Sequence, residues 1–348
     1  MASPFKTVAL FGANGQVGNR VFKALIRCKG PEFSVIAFVS PNSSFNLMDY
    51  GDINATVKRV DLNHVARDDL VAILADAKVD VVISALGGQI IAKQCVIQDA
   101  AAKAGVKRFY PSEFGMHQVA WLPDEGAYLD PVSDVDLDLK AISSSLSNNT
   151  KIWALKIKCF EDAIRHPAIK SGQMSYTVIG CGEFYDAPGE PLLCPWLEKD
   201  ESISKGGYSI QCVGDPDAKM DYSSLTDIAN FVVATLRHPE RSENRILGFR
   251  SDHITYNEIA RLLQKYSGKP AKINITSVDQ MRAILKDPSS APKELLRGST
   301  FPVDFWMILR HVQGQGVFWR PPGLLHNDLF PEVKPVSVEE YFRNLFAK

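Results

Sequence analysis

Three regularly spaced glycines follow the first apolar segment of the chain. The run Thr7–Phe11 leads directly into Gly12, Gly15 and Gly18, and apolar residues at helical spacing come next. In a strand, turn and helix of this kind, the first glycine permits the tight turn and the second lets the backbone approach a pyrophosphate. The third lets the helix pack closely on the strand, and the helix N terminus adds free N–H groups and a partial positive charge. The spacing predicts a dinucleotide-binding turn; the alternative is a glycine-rich turn that binds nothing.

The segment after the second apolar run indicates which dinucleotide would bind. An acidic residue there holds the ribose 2′-hydroxyl of NAD. Residues 38–44 read Phe-Val-Ser-Pro-Asn-Ser-Ser, without a carboxylate, so the hydroxyls of Ser40 and Ser43 are available to a 2′-phosphate. No arginine, the usual partner of that phosphate, stands in this segment. We expect NADP(H) as the cofactor; the alternative is that the serines only cap a turn.

Short apolar segments at steady intervals predict the elements that position this turn. They lie at Thr7–Phe11, Ser34–Val39, Thr56–Val60, Asp80–Leu86 and Lys107–Tyr110. Their β-branched and apolar residues suit strands buried on both faces, as in a parallel sheet. Apolar residues recur at helical spacing between them, which predicts crossover helices. Repeated units of this kind predict an α/β fold with a doubly wound parallel sheet of the Rossmann type.

The alternation of strands and helices stops after the fifth strand. Residues 116–150 show little periodicity and an acidic cluster, which predicts a surface excursion such as a lid. A helix at Lys151–Arg165 and a strand at Ser175–Cys181 follow. Further helices are predicted at Ser224–Leu236, Tyr256–Tyr266, Val278–Leu285 and Val338–Phe346. We predict a dinucleotide-binding domain over residues 1–182, including the long loop, and a smaller substrate lobe over residues 183–348, part of which could return to the first domain.

The composition and charge of the chain argue against a disordered, nucleic-acid-binding or membrane protein. The 348 residues include 39 basic and 40 acidic ones, for a formal net charge of −1, and 45% are hydrophobic. This balance is typical of a folded globular protein and gives no general attraction to nucleic acid or to an anionic membrane. No run of Lys and Arg marks a basic patch, and no stretch reaches the ~18 apolar residues of a bilayer span. We expect a cytoplasmic protein without a nucleic-acid or membrane partner.

The residue types that most often carry metal, disulfide or hydrolase chemistry are scattered. The six cysteines form no C-x-x-C pair, which predicts reduced thiols. The histidines show no H-x-x-x-H spacing, which predicts that there is no metal site. A serine-hydrolase function is excluded because no G-x-S-x-G elbow exists.

Several segments together resemble a known family. They are Gly12–Gly18, Val81–Gly88, Val106–Gly115, Tyr176–Val178 and Leu329–Tyr341, with the block Pro-Ser-Glu-Phe-Gly at 111–115 as the most specific part. Over nearly its whole length the chain resembles the isoflavone reductase-like branch of the atypical short-chain dehydrogenases, close to the NmrA-like proteins. That branch includes phenylpropanoid and lignan reductases. The resemblance implies a Rossmann domain, an NADPH cofactor and a catalytic lysine on the helix after the fifth strand, facing the nicotinamide.

Two lysines on the predicted helix at Lys151–Arg165 are candidates for that role. Lys156 has the apolar Cys159 three positions on, as the family pattern requires, whereas Lys158 has an acidic residue there. Lys156 is therefore the first choice and Lys158 the second; the alternative is that both are solvated helix lysines. Neither has a tyrosine four positions earlier, so the Tyr-x-x-x-Lys pair of ordinary short-chain dehydrogenases is absent.

Other side chains could line a substrate site. The long loop carries His117, Trp121 and Tyr128, and His117 suits a proton donor because histidine titrates near neutrality. The alternative is that His117 is a surface residue. The aromatic segment Phe301–Arg320 could wall a pocket for a flat substrate, or form the core of the small lobe.

The predicted cofactor site extends from the glycine turn to the ends of the fourth and fifth strands. Ser112 and Glu113 stand at the carboxyl edge of the fifth strand, where open α/β sheets bind ligands. Alternatively, they cap a helix. The full predicted set is Gly12, Asn14, Gly15, Gln16, Val17, Gly18, Ser40, Ser43, Ser84, Leu86, Gly87, Ser112 and Glu113.

The resemblance and the residues together favour one function and leave two alternatives. The favoured function is an NADPH-dependent reductase that transfers a hydride to an activated C=C, C=O or quinone-methide carbon of a small aromatic or polyketide-like metabolite. The first alternative is a non-catalytic NmrA-like dinucleotide sensor that regulates a partner protein. The second is an isomerase or cyclase on the same scaffold. A monomer or a homodimer is expected.

Overall fold

The structure is a computed structural model of the chain. It describes residues 4–28, 33–115, 121–122, 127–128, 152–198, 206–296, 299 and 301–347. The predicted excursion at 116–150 therefore lies outside the described residues, apart from two short strands.

The chain alternates strands with helices through its first half, as its sequence predicts. The strands are β1 Thr7–Phe11, β2 Ser34–Val39, β3 Ala55–Arg59, β4 Val81–Ser84, β5 Arg108–Tyr110, β6 Trp121–Leu122, β7 Ala127–Tyr128, β8 Ser175–Cys181, β9 Glu183–Phe184, β10 Tyr208–Val213, β11 Met220–Ser223, β12 Arg245–Phe249, β13 Asp252–Ile254 and β14 Ala271–Thr276. The α-helices are α1 Gln16–Arg27, α2 Arg67–Asp76, α3 Gln94–Lys103, α4 Ile152–Ile164, α5 Pro167–Lys170, α6 Leu225–Arg237, α7 Tyr256–Ser267, α8 Val278–Lys286, α9 Val303–Gly314 and α10 Val338–Leu345. Short 3₁₀ helices lie at Leu47–Tyr50, Gly88–Lys93, Pro195–Leu197, Pro239–Arg241, Pro288–Ser290, Lys293–Leu296, Pro322–Leu324 and Asn327–Leu329.

A seven-stranded sheet forms the centre of the molecule. Its strands run in the order β3–β2–β1–β4–β5–β8–β12, and every neighbouring pair is parallel. The inner strands β1 and β4 are buried almost throughout because helices cover both faces, whereas the edge strand β3 is partly exposed. The chain order reverses between β1 and β4, which is where sheets of this kind bind ligands. The predicted fold class, a doubly wound parallel sheet, is confirmed.

Two apolar clusters fix the helices on the two faces of the sheet. On one face, α1 and α6 pack together and bury Val21, Phe22 and Phe231 with the sheet residues. On the other face, α2 and α3 bury Leu70 and Ile97. Ser224 caps α6 by accepting hydrogen bonds from the N–H groups of the first turn, which starts this helix where the sequence predicts it.

The second half of the chain builds a smaller layer and also completes the sheet. Strands β10 and β14 pair, β13–β11–β9 form a three-stranded sheet, and α7 to α10 surround one apolar core. Strand β12 is different, since it pairs with β8 at the edge of the central sheet. The division of the chain at residue 182 stays a prediction.

The aromatic segment Phe301–Arg320 contains α9, a helix that the sequence does not predict. Nearly every residue of α9 is buried, including Trp306. Phe301 and Phe305 stack with ring centroids 4.4 Å apart, and both meet the Trp306 ring edge-on. These rings therefore belong to the core of the second half of the chain.

The described part of the chain lacks both a membrane-spanning helix and a metal-binding cluster. None of its helices has the length and apolar character needed to cross a bilayer. Within the same residues, no three His, Cys, Asp or Glu side chains gather in a group that could hold a metal ion.

Candidate functional site

The glycine turn between β1 and α1 is packed too tightly for other residues at two of its three positions. Gly12 has a φ of +80°, and a Cβ there would lie 2.4 Å from the Ala85 carbonyl oxygen. A Cβ on Gly18 would lie 2.0 Å from the Gly12 carbonyl oxygen. Gly15 is less constrained, since its Cβ would be 3.3 Å from the same oxygen. The first and third glycines therefore shape the turn, and the second leaves space in front of it.

The first turn of α1 offers unpaired donors to a ligand. Gly15 occupies the N-cap position without a side-chain cap, and the first turn contains no acidic residue. The N–H groups at a helix start have no partner within the helix, and the helix dipole makes this end attractive to anions. The Gln16 side chain points away from these donors, because its Nε2 donates to the Pro188 carbonyl oxygen over 3.0 Å. The first turn of α1 therefore presents backbone donors of the kind that bind phosphates in other proteins.

A cleft of about 300 Å³ opens in front of this turn. It lies at the carboxyl ends of β1, β2, β3 and β4, across the point where the chain order reverses. Its walls include six residues of the predicted cofactor site, namely Gly12, Asn14, Gly15, Ser40, Leu86 and Gly87. The structure thus brings together residues that are up to 75 positions apart in the sequence, as the predicted sheet requires.

The other predicted cofactor residues lie beside the cleft or beneath it. Ser84 is fully buried at the end of β4, and Val17 packs between two apolar clusters. Ser43 turns its hydroxyl to the N–H of Phe45. Ser112 is buried and donates from Oγ to the Leu86 carbonyl oxygen over 2.6 Å, so it holds a wall of the cleft. Glu113, also buried, follows Ser112 at the end of β5.

Sequence reasoning missed a group of cleft residues that follow β3. Asp61, Leu62 and Asn63 line the cleft opposite the glycine turn. Asp61 accepts hydrogen bonds from His64 Nδ1 at 2.7 Å and from the Asn63 N–H at 2.9 Å, and these two contacts lower the pKa of its carboxyl group. The available signal was their position directly after a parallel strand, since such strands bring their carboxyl ends to one edge of the sheet.

The arginine that residues 38–44 lack is supplied by the neighbouring strand. Arg59 is the last residue of β3, and its guanidinium reaches the loop after β2. It donates to the carbonyl oxygens of Ser43 at 2.6 Å and Phe45 at 2.9 Å. A cation therefore stands beside the predicted 2′-phosphate site, although it comes from 16 residues further along the chain.

The two candidate lysines of α4 occupy different environments. Lys156 is half-buried and donates from Nζ to the Glu113 carbonyl oxygen over 2.6 Å, at the carboxyl end of β5. The Lys158 side chain is 70% exposed and pairs with Asp162 at 2.5 Å, which raises the pKa of its ammonium group. The structure thus places Lys156 at the sheet edge beside the cleft wall and Lys158 on the outer surface of the helix.

The backbone that receives Lys156 is held by both halves of the chain. The Phe114 N–H donates to the Ile179 carbonyl oxygen and the Cys181 N–H to the Gly115 carbonyl oxygen. Arg320, buried beneath this turn, donates from Nη2 to the same Gly115 oxygen at 2.9 Å. Phe114 has a φ of +33°, a strained value for a bulky residue, which such anchoring can maintain. The turn that positions Lys156 is therefore rigidly supported.

The remaining candidates come from the long loop. His117 lies outside the described residues, so its predicted role as a proton donor stays a prediction. The backbones at Trp121 and Tyr128 pair in the short hairpin of β6 and β7. Their side chains lie outside the description.

Comparisons of the sequence with known proteins identify a family and several relatives. A model of the NmrA-like family matches residues 4–125 and 140–299. An isoflavone reductase homologue of Zea mays is 26% identical over 98% of both chains. A phenylcoumaran benzylic ether reductase of Ginkgo biloba is also 26% identical, over 96% of this chain and 97% of its own.

Solved structures show the same fold over nearly the whole chain. A leucoanthocyanidin reductase from Vitis vinifera, in complex with NADPH, superposes with a TM-score of 0.68 at 20% identity and covers 98% of this chain and 100% of its own. An isoflavone reductase superposes with a TM-score of 0.67 at 21% identity, over 98% and 99% of the two chains. Because the family model spans most of the chain, the resemblance expected from the sequence is confirmed, and the chain belongs to the NmrA-like family.

Proposed function

We propose that the chain is an NADPH-dependent reductase that delivers a hydride to an activated C=C, C=O or quinone-methide carbon of a small aromatic or polyketide-like molecule. The observation that carries this proposal is a continuous set of contacts from the dinucleotide cleft to a lysine. Leu86 in the cleft wall bonds to Ser112, and Lys156 bonds to Glu113, the next residue. The relatives support it, since reductases of aromatic compounds are among them.

The residues of the cleft fit a phosphorylated dinucleotide. Gly12 and Gly18 shape the tight turn, Gly15 leaves the backbone open to a pyrophosphate, and the α1 N terminus would bind the phosphates. Ser40, Ser43 and Arg59 would hold the 2′-phosphate, where the absence of a carboxylate from residues 38–44 avoids repulsion. When bound, NADPH would supply the hydride.

Lys156 would act on the charge that develops in the substrate. An ammonium group has three N–H donors, and one of them is used on the Glu113 carbonyl oxygen. The others can face a substrate oxygen and either donate a proton to it or stabilise it as an oxyanion. The Glu113 carbonyl fixes the direction of Nζ, so that little reorganisation is needed during the reaction.

Turnover with a panel of substrates tests the proposed reaction. We expect nicotinamide absorbance to fall when the protein is mixed with NADPH and aromatic compounds that carry an activated double bond, a carbonyl or a quinone methide. Tight NADPH binding without oxidation by any of them would contradict the proposal and favour the dinucleotide sensor. A substrate that is rearranged while NADPH stays unchanged would favour the isomerase or cyclase.

Replacing Gly15 with valine is expected to weaken NADPH binding by about 10²-fold while the protein stays folded. Its side chain would project into the space where the pyrophosphate must approach, yet the turn tolerates a Cβ at this position better than at Gly12 or Gly18. Fluorescence titration with NADPH measures the effect. Gly206→Val is the matched control, because a Cβ there meets nothing within 4 Å. Undiminished binding by folded Gly15→Val would show that the pyrophosphate binds elsewhere.

Replacing Arg59 with glutamine is expected to weaken NADPH binding by about tenfold, because a charged hydrogen bond to the 2′-phosphate is lost. Binding of NADH, which lacks this phosphate, should stay weak and unchanged. Calorimetric titration of both cofactors measures the difference. Lys58→Gln, one position earlier on β3 and directed to the other face of the strand, should leave both affinities as they are. An equal loss for NADH and NADPH would remove Arg59 from the 2′-phosphate site.

Several expectations stay predictions beside this proposal. They are the oligomeric state, a monomer or a homodimer, the cytoplasmic location and the absence of a nucleic-acid partner.

A further inference from the structure

A second cavity lies between α1, α6 and the segment Glu332–Lys334. Its volume is about 410 Å³, and none of the described residues that line it also lines the dinucleotide cleft. Its walls come from the middle and end of α1, from one side of α6 and from the segment that precedes α10. We call it the α1–α6 groove.

Positive charge is concentrated in the α1–α6 groove. Arg20, Lys23, Arg27, Arg237 and Lys334 all line it. Among the described residues that line the groove, Glu332 is the only one with a carboxylate, and its oxygen lies 3.4 Å from His238 Nε2. Across the described ranges, no carboxylate comes within ion-pair distance of any of the five cations. The protein as a whole has a net charge of −1, so this local excess is not a consequence of its composition.

Arg237 shows the strongest sign of a missing partner. Its Nε and Nη2 atoms are buried and have no hydrogen-bond partner among the described residues. A buried guanidinium donor without a partner is costly, because it loses its water and gains nothing in return. Arg237 lies at the end of α6, where it lines the groove. An anion bound in the groove would give this guanidinium a charged partner once the side chain turns its buried donors toward the ligand.

Mutual repulsion among the cations supports the same conclusion. Burial and the nearby charges of Arg20 and Arg27 lower the pKa of the Lys23 ammonium group. Such repulsion costs free energy that a bound anion would recover. Three alanines, Ala24, Ala229 and Ala234, also line the groove, and their short side chains let a ligand approach the helices closely.

We propose that the α1–α6 groove binds a phosphate-bearing anion, distinct from the dinucleotide, with Arg237 as its central ligand. Phosphate esters and polyphosphates carry the multiple negative charges and acceptor oxygens that the five cations lining the groove can bind. The same chemistry is found in soluble phosphorylated molecules and in lipid headgroups. The groove would hold the anion against α1, the helix whose N terminus faces the dinucleotide cleft.

Calorimetric titration with inorganic pyrophosphate tests this site in protein saturated with NADPH, so that the glycine turn is already filled. At constant ionic strength we expect one site per chain and an affinity that falls by about tenfold or more in Arg237→Gln and in Lys334→Gln. Lys334 is exposed on an extended segment, so its substitution keeps the test valid if Arg237→Gln does not fold. Arg261→Gln, an exposed arginine on α7, is the control and should bind as the parent does.

The source of the phosphate is distinguished by sedimentation with phosphatidylcholine vesicles that contain or lack phosphatidylinositol 4-phosphate. Sedimentation that needs the phosphorylated lipid and is lost in Lys334→Gln assigns the groove to a headgroup. If pyrophosphate binds and the vesicles do not, the groove is assigned to a soluble phosphate compound. Absence of pyrophosphate binding to the NADPH-saturated protein, or equal binding by the groove variants and the control, would overturn the proposal.

Discussion

Substituting alanine for Lys156 is expected to lower kcat by ~10²-fold or more while the dissociation constant of NADPH changes little. The ammonium acts mainly on charge that develops in the transition state, and its contact with the Glu113 carbonyl lies outside the dinucleotide cleft. Steady-state rates with the best substrate and a separate NADPH titration measure the two quantities. The loss should appear in kcat and in kcat/KM together, because the interaction is made in the transition state.

Lys158→Ala is the matched control for this prediction. The two lysines are on the same helix and two positions apart, but the Lys158 side chain is exposed and paired with Asp162. Its removal should change kcat by less than about twofold, since this side chain is directed to solvent, and the loss of an exposed ion pair should leave the fold intact. Loss of turnover in Lys158→Ala with normal turnover in Lys156→Ala would reverse the assignment. Normal turnover in both variants would end the lysine mechanism and leave His117, or a reaction driven by the cofactor alone, as the better account.

Replacing Gly18 with alanine is expected to lower the free energy of unfolding by about 2 kcal/mol or more. Helix propensity alone would favour alanine by ~1 kcal/mol. The expected loss of unfolding free energy therefore comes entirely from the steric clash of the added methyl group. The added Cβ would stand 2.0 Å from the Gly12 carbonyl oxygen, and the atoms that it meets in Gly12 and Ala13 are all backbone, which cannot rotate away as a side chain can. Urea unfolding followed by circular dichroism measures the change through the transition midpoint.

Gly15→Ala serves as the comparison for Gly18→Ala because it adds the same methyl group to the same turn. Its Cβ would be 3.3 Å from the Gly12 carbonyl oxygen, which a small shift can accommodate, so the unfolding free energy should change by no more than about 1 kcal/mol. Equal stability of the two variants would show that glycine is not needed at position 18 for the close approach of α1 to β1.

The sequence predicts the elements of the first half because their patterns are local. Strands β1 and β2 begin and end where their apolar runs do, and β8 follows the predicted bounds. The predicted strand at Asp80–Leu86 is shorter in the structure and ends at Ser84, because residues 85–87 leave the sheet to line the cleft. Helix α9 could not be recognised by periodicity, since a helix buried on nearly every side has no polar face.

What the sequence could not predict are the contacts between distant segments. Arg59 lies beside the loop after β2 only because parallel pairing sets β3 against β2. The cations of the α1–α6 groove come from three separate stretches, so no run of basic residues indicates them. Lys156, by contrast, is predicted from the residue spacing that the family implies. Its contact with the Glu113 carbonyl could not be predicted, because spacing along the sequence does not show which distant backbone group a side chain reaches.

The position of β12 limits how the protein could be divided or recombined. This strand follows some sixty residues after Gly182, yet it pairs with β8 along Thr177–Cys181 and buries Leu247 and Phe249. A fragment that ended near residue 182 would expose the hydrogen-bonding edge of β8 together with its apolar neighbours, which is the kind of open edge that leads to aggregation. A chimaera that exchanged substrate specificity between relatives would therefore need to keep α6 and β12 with the first half of the chain.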